Sequence, residues 1–182
     1  MKGTRGRELH HSMKPVVQEE RTGCGIAGVA MLAGVTYRQV RGVAKGMGIS
    51  AADSRLWSTT VYVRRLLTRY GIGVAAKELP FVSWERLPPV ALLAIKWYRK
   101  GAREYWHWVV FHRGPQGPVV LDPKRALRTH ERRDFGRMKP KWFIAVTRPG
   151  RGARKSTGDR PSHRHRGAVF NRGFDGSASP QW

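Results

Sequence analysis

Between residues 24 and 33 the chain is apolar at nearly every position (CGIAGVAMLA), the pattern of a helix buried on all sides. Gly34 follows and supplies a stop. The next segment is amphipathic. Thr36 offers an N-cap for a helix over residues 37–45, with Tyr37, Val40 and Ala44 on one face. A third helix is expected over residues 59–69, capped by Ser58, with Val61, Leu66 and Leu67 apolar and Arg64, Arg65 and Arg69 basic. Thereafter the period changes. Residues 73–77, 90–97, 105–112, 118–121 and 142–146 read as strands, punctuated by Gly71, Pro88-Pro89, Gly101, Gly114-Pro115 and Pro140. Helices first and an antiparallel sheet second predict an α+β domain.

This patterning covers residues 16–147. Residues 1–15 are polar and basic and are expected to form a flexible arm. Residues 148–182 are rich in Gly, Pro, Ser and Arg with few groups to bury, and are expected to be a disordered basic tail. The full chain of 182 residues suits one domain with two tails.

Charge adds a second constraint. The chain carries 35 Lys and Arg against 12 Asp and Glu, a net +23, which predicts affinity for polyanions such as nucleic acid, anionic lipid or acidic protein surfaces. The single cysteine rules out an internal disulfide. The N-terminus lacks the apolar core of a signal peptide, and the longest apolar stretch, residues 23–35, is too short to span a bilayer. A soluble, cytoplasmic protein is the expectation. Scattered histidines without paired ligand spacing give no metal site, His163 and His165 included, and no phosphate-binding glycine loop appears, so no cofactor is expected.

Four residues could carry chemistry. Cys24 sits where a helix begins, where unpaired N–H groups and the helix dipole favour a thiolate, and Gly23 and Gly25 are expected to leave the sulfur uncrowded. His107 lies in the strand YWHWVVF, with Tyr105 and Val109 on its own face and Trp106, Trp108 and Val110 on the other. Asp122 ends the apolar run PVVL and precedes Pro123, which holds it extended. The turn GPQG predicts a hairpin that brings Asp122 beside His107. A carboxylate on one imidazole nitrogen leaves the other to accept a thiol proton. Gln18, six residues before the cysteine, could donate an amide hydrogen to an oxyanion. Each signal is weak alone, and each residue also has a plain structural reading. Their order along the chain is what makes a set.

That order resembles the papain-like cysteine peptidase superfamily, and within it the C39 and C39-like peptidases. Gln18 and Cys24-Gly25 match the Q-x5-C-G spacing of those families, the segment CGIAGVAMLAG with Tyr37 beyond it matches their first helix and its sequel, His107 matches the histidine of their H-[FW]-V-V strand, and Asp122 matches the aspartate of their D-P turn. The match departs at Gly23, where members often carry Asp. The resemblance implies a papain-like fold over residues 16–147 and a cysteine peptidase, with Cys24 as nucleophile, His107 as base, Asp122 orienting the base, and Gln18 in the oxyanion hole. It leaves open a related acyl-transfer chemistry, amidase or transglutaminase-like. Known members fused to exporters remove double-glycine leaders. The sequence holds no exporter segment, so that substrate is not implied.

The expected partner is a peptide or protein substrate. A reading from a different class is a basic nucleic-acid-binding module on the same fold without catalysis. In it, Trp97, Tyr98, Tyr105 and Trp106 among Lys96, Arg99, Lys100 and Arg103 would stack on bases while the basic tail held phosphates.

Overall fold

In the computed structural model, which describes residues 13–147, the apolar run at residues 24–33 forms α1 (Cys24–Ala33), with Cys24 through Leu32 all buried. Gly34 ends it at φ 69°, a left-handed conformation that glycine adopts without a Cβ penalty. Helix α2 (Tyr37–Gly46) opens on a full capping box between Thr36 and Gln39 and buries Tyr37, Val40 and Ala44, the face its periodicity predicts. Helix α3 (Val61–Arg69) buries Tyr62, Val63, Leu66 and Leu67. It departs from expectation at its start. Ser58 closes a separate 3₁₀ turn (Ser54–Ser58) capped by Asp53, so the helix begins two residues later than its cap signal suggests and Val61 is exposed.

Seven strands follow: β1 (Gly73–Val74), β2 (Leu79–Pro80), β3 (Val90–Lys100), β4 (Arg103–Gly114), β5 (Gly117–Leu121), β6 (Glu131–Arg132) and β7 (Trp142–Thr147). They pair antiparallel in the order β1-β7-β3-β4-β5-β6, with β2 also on β7. The architecture is α+β, as the patterning predicts. The GPQG segment makes the β4–β5 hairpin, with Gly114 opposite Gly117 and φ 88° at Gly117. The two-residue strands β2 and β6 have no sequence signal of their own.

The sheet is buried on both sides. Leu92, Ala94, Trp108 and Val110 pack into the cluster that holds all three helices. Ala91, Leu93, Ile95, Val109 and Phe111 pack into a second cluster, closed by Leu87, Met138 and the rings of Phe81, Trp84 and Phe135. Two-sided burial explains why residues 91–95 are apolar without alternation. Met13, placed in the arm by the sequence reading, is buried in the helix-side cluster. Residues 1–12 of the arm, and the tail at residues 148–182, lie outside the described residues. Among the described residues no helix is long and apolar enough to cross a membrane.

Small residues let α1 approach its neighbours. A Cβ on Gly28 would lie 2.9 Å from Leu92 Cδ1, and one on Gly25 would lie 2.0 Å from the Tyr62 hydroxyl and 2.8 Å from Val63 Cγ1. Gly25→Ala should therefore destabilise the domain by ~1–3 kcal/mol through overpacking. Gly42 on α2 has open space around it, and Gly42→Ala should stabilise by ~0.5–1 kcal/mol through helix propensity. Urea unfolding of the two variants checks both signs, and a neutral Gly25→Ala would show that α1 is more loosely held than described here.

Candidate active site

Cys24 is the first residue of α1, preceded by Gly23 at the N-cap. The fold thus puts the sulfur where the helix dipole and free N–H groups act most strongly. The flanking glycines do not leave open space, contrary to the sequence reading. A Cβ on either would sit 2.0 Å from a tyrosine hydroxyl, Tyr37 over Gly23 and Tyr62 over Gly25. They are small because two buried rings fill the room. Tyr37 donates to Glu20, which also accepts from Arg41 at 2.7 Å. Tyr62 is buried beside Cys24, and its hydroxyl has no hydrogen-bond partner. Burial first, then the charge of Cys24, holds that hydroxyl well above the ordinary tyrosine range, so it stays protonated.

His107 projects from β4. Its Nε2 lies 2.7 Å from Asp122 Oδ1, which leaves Nδ1 for another partner. Cys24 is close enough to act on the same imidazole. Burial pulls the His107 pKa down, but Asp122 and Cys24 outweigh it and raise the value from 6.5 to about 9. The hairpin is what brings strand and turn together, since Val110 pairs with Leu121 and Asp122 is the next residue.

Asp122 has no exposed surface. An unpaired carboxylate there would be costly, and this one is fully engaged. Oδ1 also accepts from the Lys124 backbone N–H at 3.1 Å. Oδ2 accepts from Arg132 Nη1 at 2.8 Å, and Arg132 is held from its far side by Asp134 at 2.8 Å. Burial raises the Asp122 pKa, but the bond and charge of His107, then Arg132, lower it from 3.8 to about 2. The backbone closes the same turn, because Asp122 N–H donates to His130 O at 2.8 Å. Sequence reasoning missed Arg132. Its strand is two residues long, and one arginine among 35 basic residues carries no signal.

Gln18 is buried and anchored, its N–H donating to Pro123 O at 3.0 Å beside the Asp122 turn. Its amide Nε2 donates to Glu20 O at 2.9 Å and Arg21 O at 3.0 Å, while Oε1 is buried without a partner. Both amide hydrogens are thus committed to backbone carbonyls. Donating to an oxyanion would require the amide to release one of them.

A groove of about 570 Å³ opens beside these residues, walled by Gln18 and His107 together with Trp57, Tyr105, Lys96 and Lys124. Cys24, 3% exposed, does not line it. Among the described residues no group of three His, Cys, Asp or Glu side chains is placed to hold a metal ion.

No protein-family model matches this chain, and no curated protein matches it in sequence. Among solved structures, the fold is similar to the crystal structure of the peptidase domain of Streptococcus ComA, described as a bifunctional ABC transporter involved in a quorum-sensing pathway. The match has a TM-score of 0.50 at 15% identity and covers 74% of this chain and 97% of that one. The similarity is one of fold, to a peptidase domain.

The charged cluster makes stability depend on pH. The folded His107 pKa lies above its ordinary value, so its contribution is complete below pH 6.5 and is lost as pH rises through about 9. The folded Asp122 pKa lies below its ordinary value, so its contribution is present above pH 3.8 and is lost as pH falls through about 2. Between neutrality and about pH 10 the urea midpoint should fall more in the wild-type chain than in His107→Gln. Equal falls would show that His107 is not coupled to Asp122 and Cys24.

Proposed function

We propose that this chain is a cysteine peptidase acting through Cys24, His107 and Asp122. The observation that carries the reading is an imidazole held on Nε2 by a buried carboxylate at 2.7 Å, with a thiol at a helix start close enough to act on the same ring. The peptidase-domain fold of the structural neighbour supports it.

In this reading the Cys24 thiol proton passes to His107. The sulfur attacks a peptide carbonyl carbon, forming a C–S bond and an oxyanion that the Cys24 backbone N–H receives, with the Gln18 amide as a second donor once it leaves a carbonyl. The C–N bond then breaks as His107 gives its proton to the leaving amine. Water hydrolyses the thioester, with His107 taking its proton as the C–S bond breaks and the Cys24 sulfur departs. Asp122 holds the imidazole with Nδ1 toward the sulfur, and Arg132 holds Asp122.

The competing reading, the same fold without catalysis, draws on the 3% exposure of Cys24. Its nucleic-acid version has less to draw on. Trp106 is buried against Trp108 and Trp142, Trp97 donates to Glu104 and lies under Lys141, and Tyr98 stacks on Tyr105. Three of the four aromatics proposed as a base-stacking platform are thus bonded or packed within the domain, and the fourth covers one of them.

Thiol-directed electrophiles separate these readings. Cys24 should react with a peptidyl vinyl sulfone faster than free cysteine at neutral pH, and the rate should fall as pH rises through about 9 and the imidazolium is lost. No labelling above a Cys24→Ser control would sink the enzyme. On one cleaved peptide, Cys24→Ala should be inactive and His107→Ala should lose roughly 100- to 10,000-fold. Asp122→Asn should lose less, because an amide oxygen can still accept from Nε2–H. Circular dichroism must first show each variant folded, since Asp122→Asn also leaves Arg132 with one carboxylate fewer.

A further inference from the structure

Lys96 has φ 53°, a left-handed backbone that non-glycine residues adopt at a cost and retain where the surroundings enforce it. It sits where the β3–β4 register shifts, between the Ile95–His107 and Tyr98–Tyr105 pairs. The bulge breaks the alternation of β3 one residue beyond the partner of His107 and places Lys96 on the wall of the groove. There it shares the groove with Lys124, two residues after Asp122, and with His107. Two ammonium groups thus line the groove that His107 also walls.

Like charges converge in this way where an anion can join them. The acids nearby are already engaged. Glu19 is paired with Arg38 and Arg41, Glu20 with Arg41, and Asp122 with Arg132. Arg21 and Arg125 add further positive charge to the same groove. Burial, and then the charge of Lys124, holds the Lys96 ammonium below the usual lysine range although Asp122 opposes the shift, and a further carboxylate would favour the charged form. The groove also has apolar walls, with Trp57 edge-on to Tyr105 at 6.5 Å and Tyr98 stacked on Tyr105 at 5.1 Å.

Resting on the peptidase reading above, we propose that Lys96 and Lys124 form a carboxylate-binding subsite, so that preferred substrates carry an acidic side chain or a free C-terminal carboxylate near the scissile bond. The net +23 of the chain would steer such substrates toward the groove.

Matched pairs of peptidyl vinyl sulfones test this on the full chain. One pair differs only as Glu against Gln with both ends blocked, and the other only as a free against an amidated C-terminus. The readout is the second-order rate of Cys24 modification. One pair should show a preference for the anionic member of about tenfold, shrinking as salt rises, and the pair that shows it identifies the carboxylate's source. Lys96→Asn, which keeps a residue tolerant of positive φ, and Lys124→Gln, whose backbone bond to Asp122 is untouched, should each reduce that ratio. If neutral members label Cys24 and both ratios stay near one, the subsite is overturned while the peptidase reading stands. A preference that survives both variants also overturns it, placing the recognition elsewhere. Absence of labelling by every member would remove the peptidase reading and the subsite together.

Discussion

The site is organised around a carboxylate with no exposed surface. Burying Asp122 is tolerable only because His107, Arg132 and the Lys124 N–H share its two oxygens. Those partners come from β4, β6 and the turn after β5, so satisfying one charge ties three segments into a single geometry. The dependence runs the other way too. The hairpin register sets where Asp122 stands relative to His107, and the paired edge strand β6 delivers the arginine. Removing one partner would leave a buried charge or a mis-set imidazole, which is why stability and the proposed chemistry are linked at this point.

The second organising element is α1. Its burial on every side fixes Cys24 at a helix start without relying on any polar contact of the sulfur. Glycines and alanines on that helix are best understood as packing devices. Gly25 admits the Tyr62 ring and Gly28 admits Leu92, and close approach to β3 follows. The position of Cys24 is thus set by the core, and that of His107 by an electrostatic cluster. Helix α1 and β4, which carry them, pack into the same apolar cluster.

Much of this was legible in the sequence, for reasons that differ by element. Helix α1 announced itself through a run of ten residues with no polar face, and α2 through a cap and a period that both pointed to the same three buried residues. The β4–β5 hairpin followed from Gly-Pro-Gln-Gly between apolar runs, and with it the approach of Asp122 to His107. What was hidden depends on tertiary pairing. A two-residue strand has no period to read, so β6 and its arginine were invisible. The bulge at Lys96 comes from how β3 meets β4, and no residue there demands positive φ. The start of α3 was misplaced because Ser58 is a good cap by type, while a 3₁₀ turn had already claimed it. The basic charge was legible as a number but not as a location. Arginines that looked like a polyanion face are partly spent on Glu19, Glu20, Glu78, Glu104 and Asp134.

Gln18 shows where the sequence spacing and the atomic arrangement ask different things of one residue. Its spacing from Cys24 matches an oxyanion donor, and its backbone bond to Pro123 ties it to the same turn that carries Asp122. Yet its amide hydrogens face two carbonyls, and its unpartnered oxygen is the end left over. Swapping oxygen and nitrogen would not resolve this, because it would aim a carbonyl at two carbonyls. In the proposed reaction the oxyanion would compete with Glu20 O and Arg21 O for one amide hydrogen, and a full negative charge is the stronger acceptor. The amide then donates more strongly to the transition state than to the ground state, which is the condition for an interaction to accelerate chemistry at all. Because the Pro123 bond holds the Gln18 backbone, that exchange falls to the side chain alone.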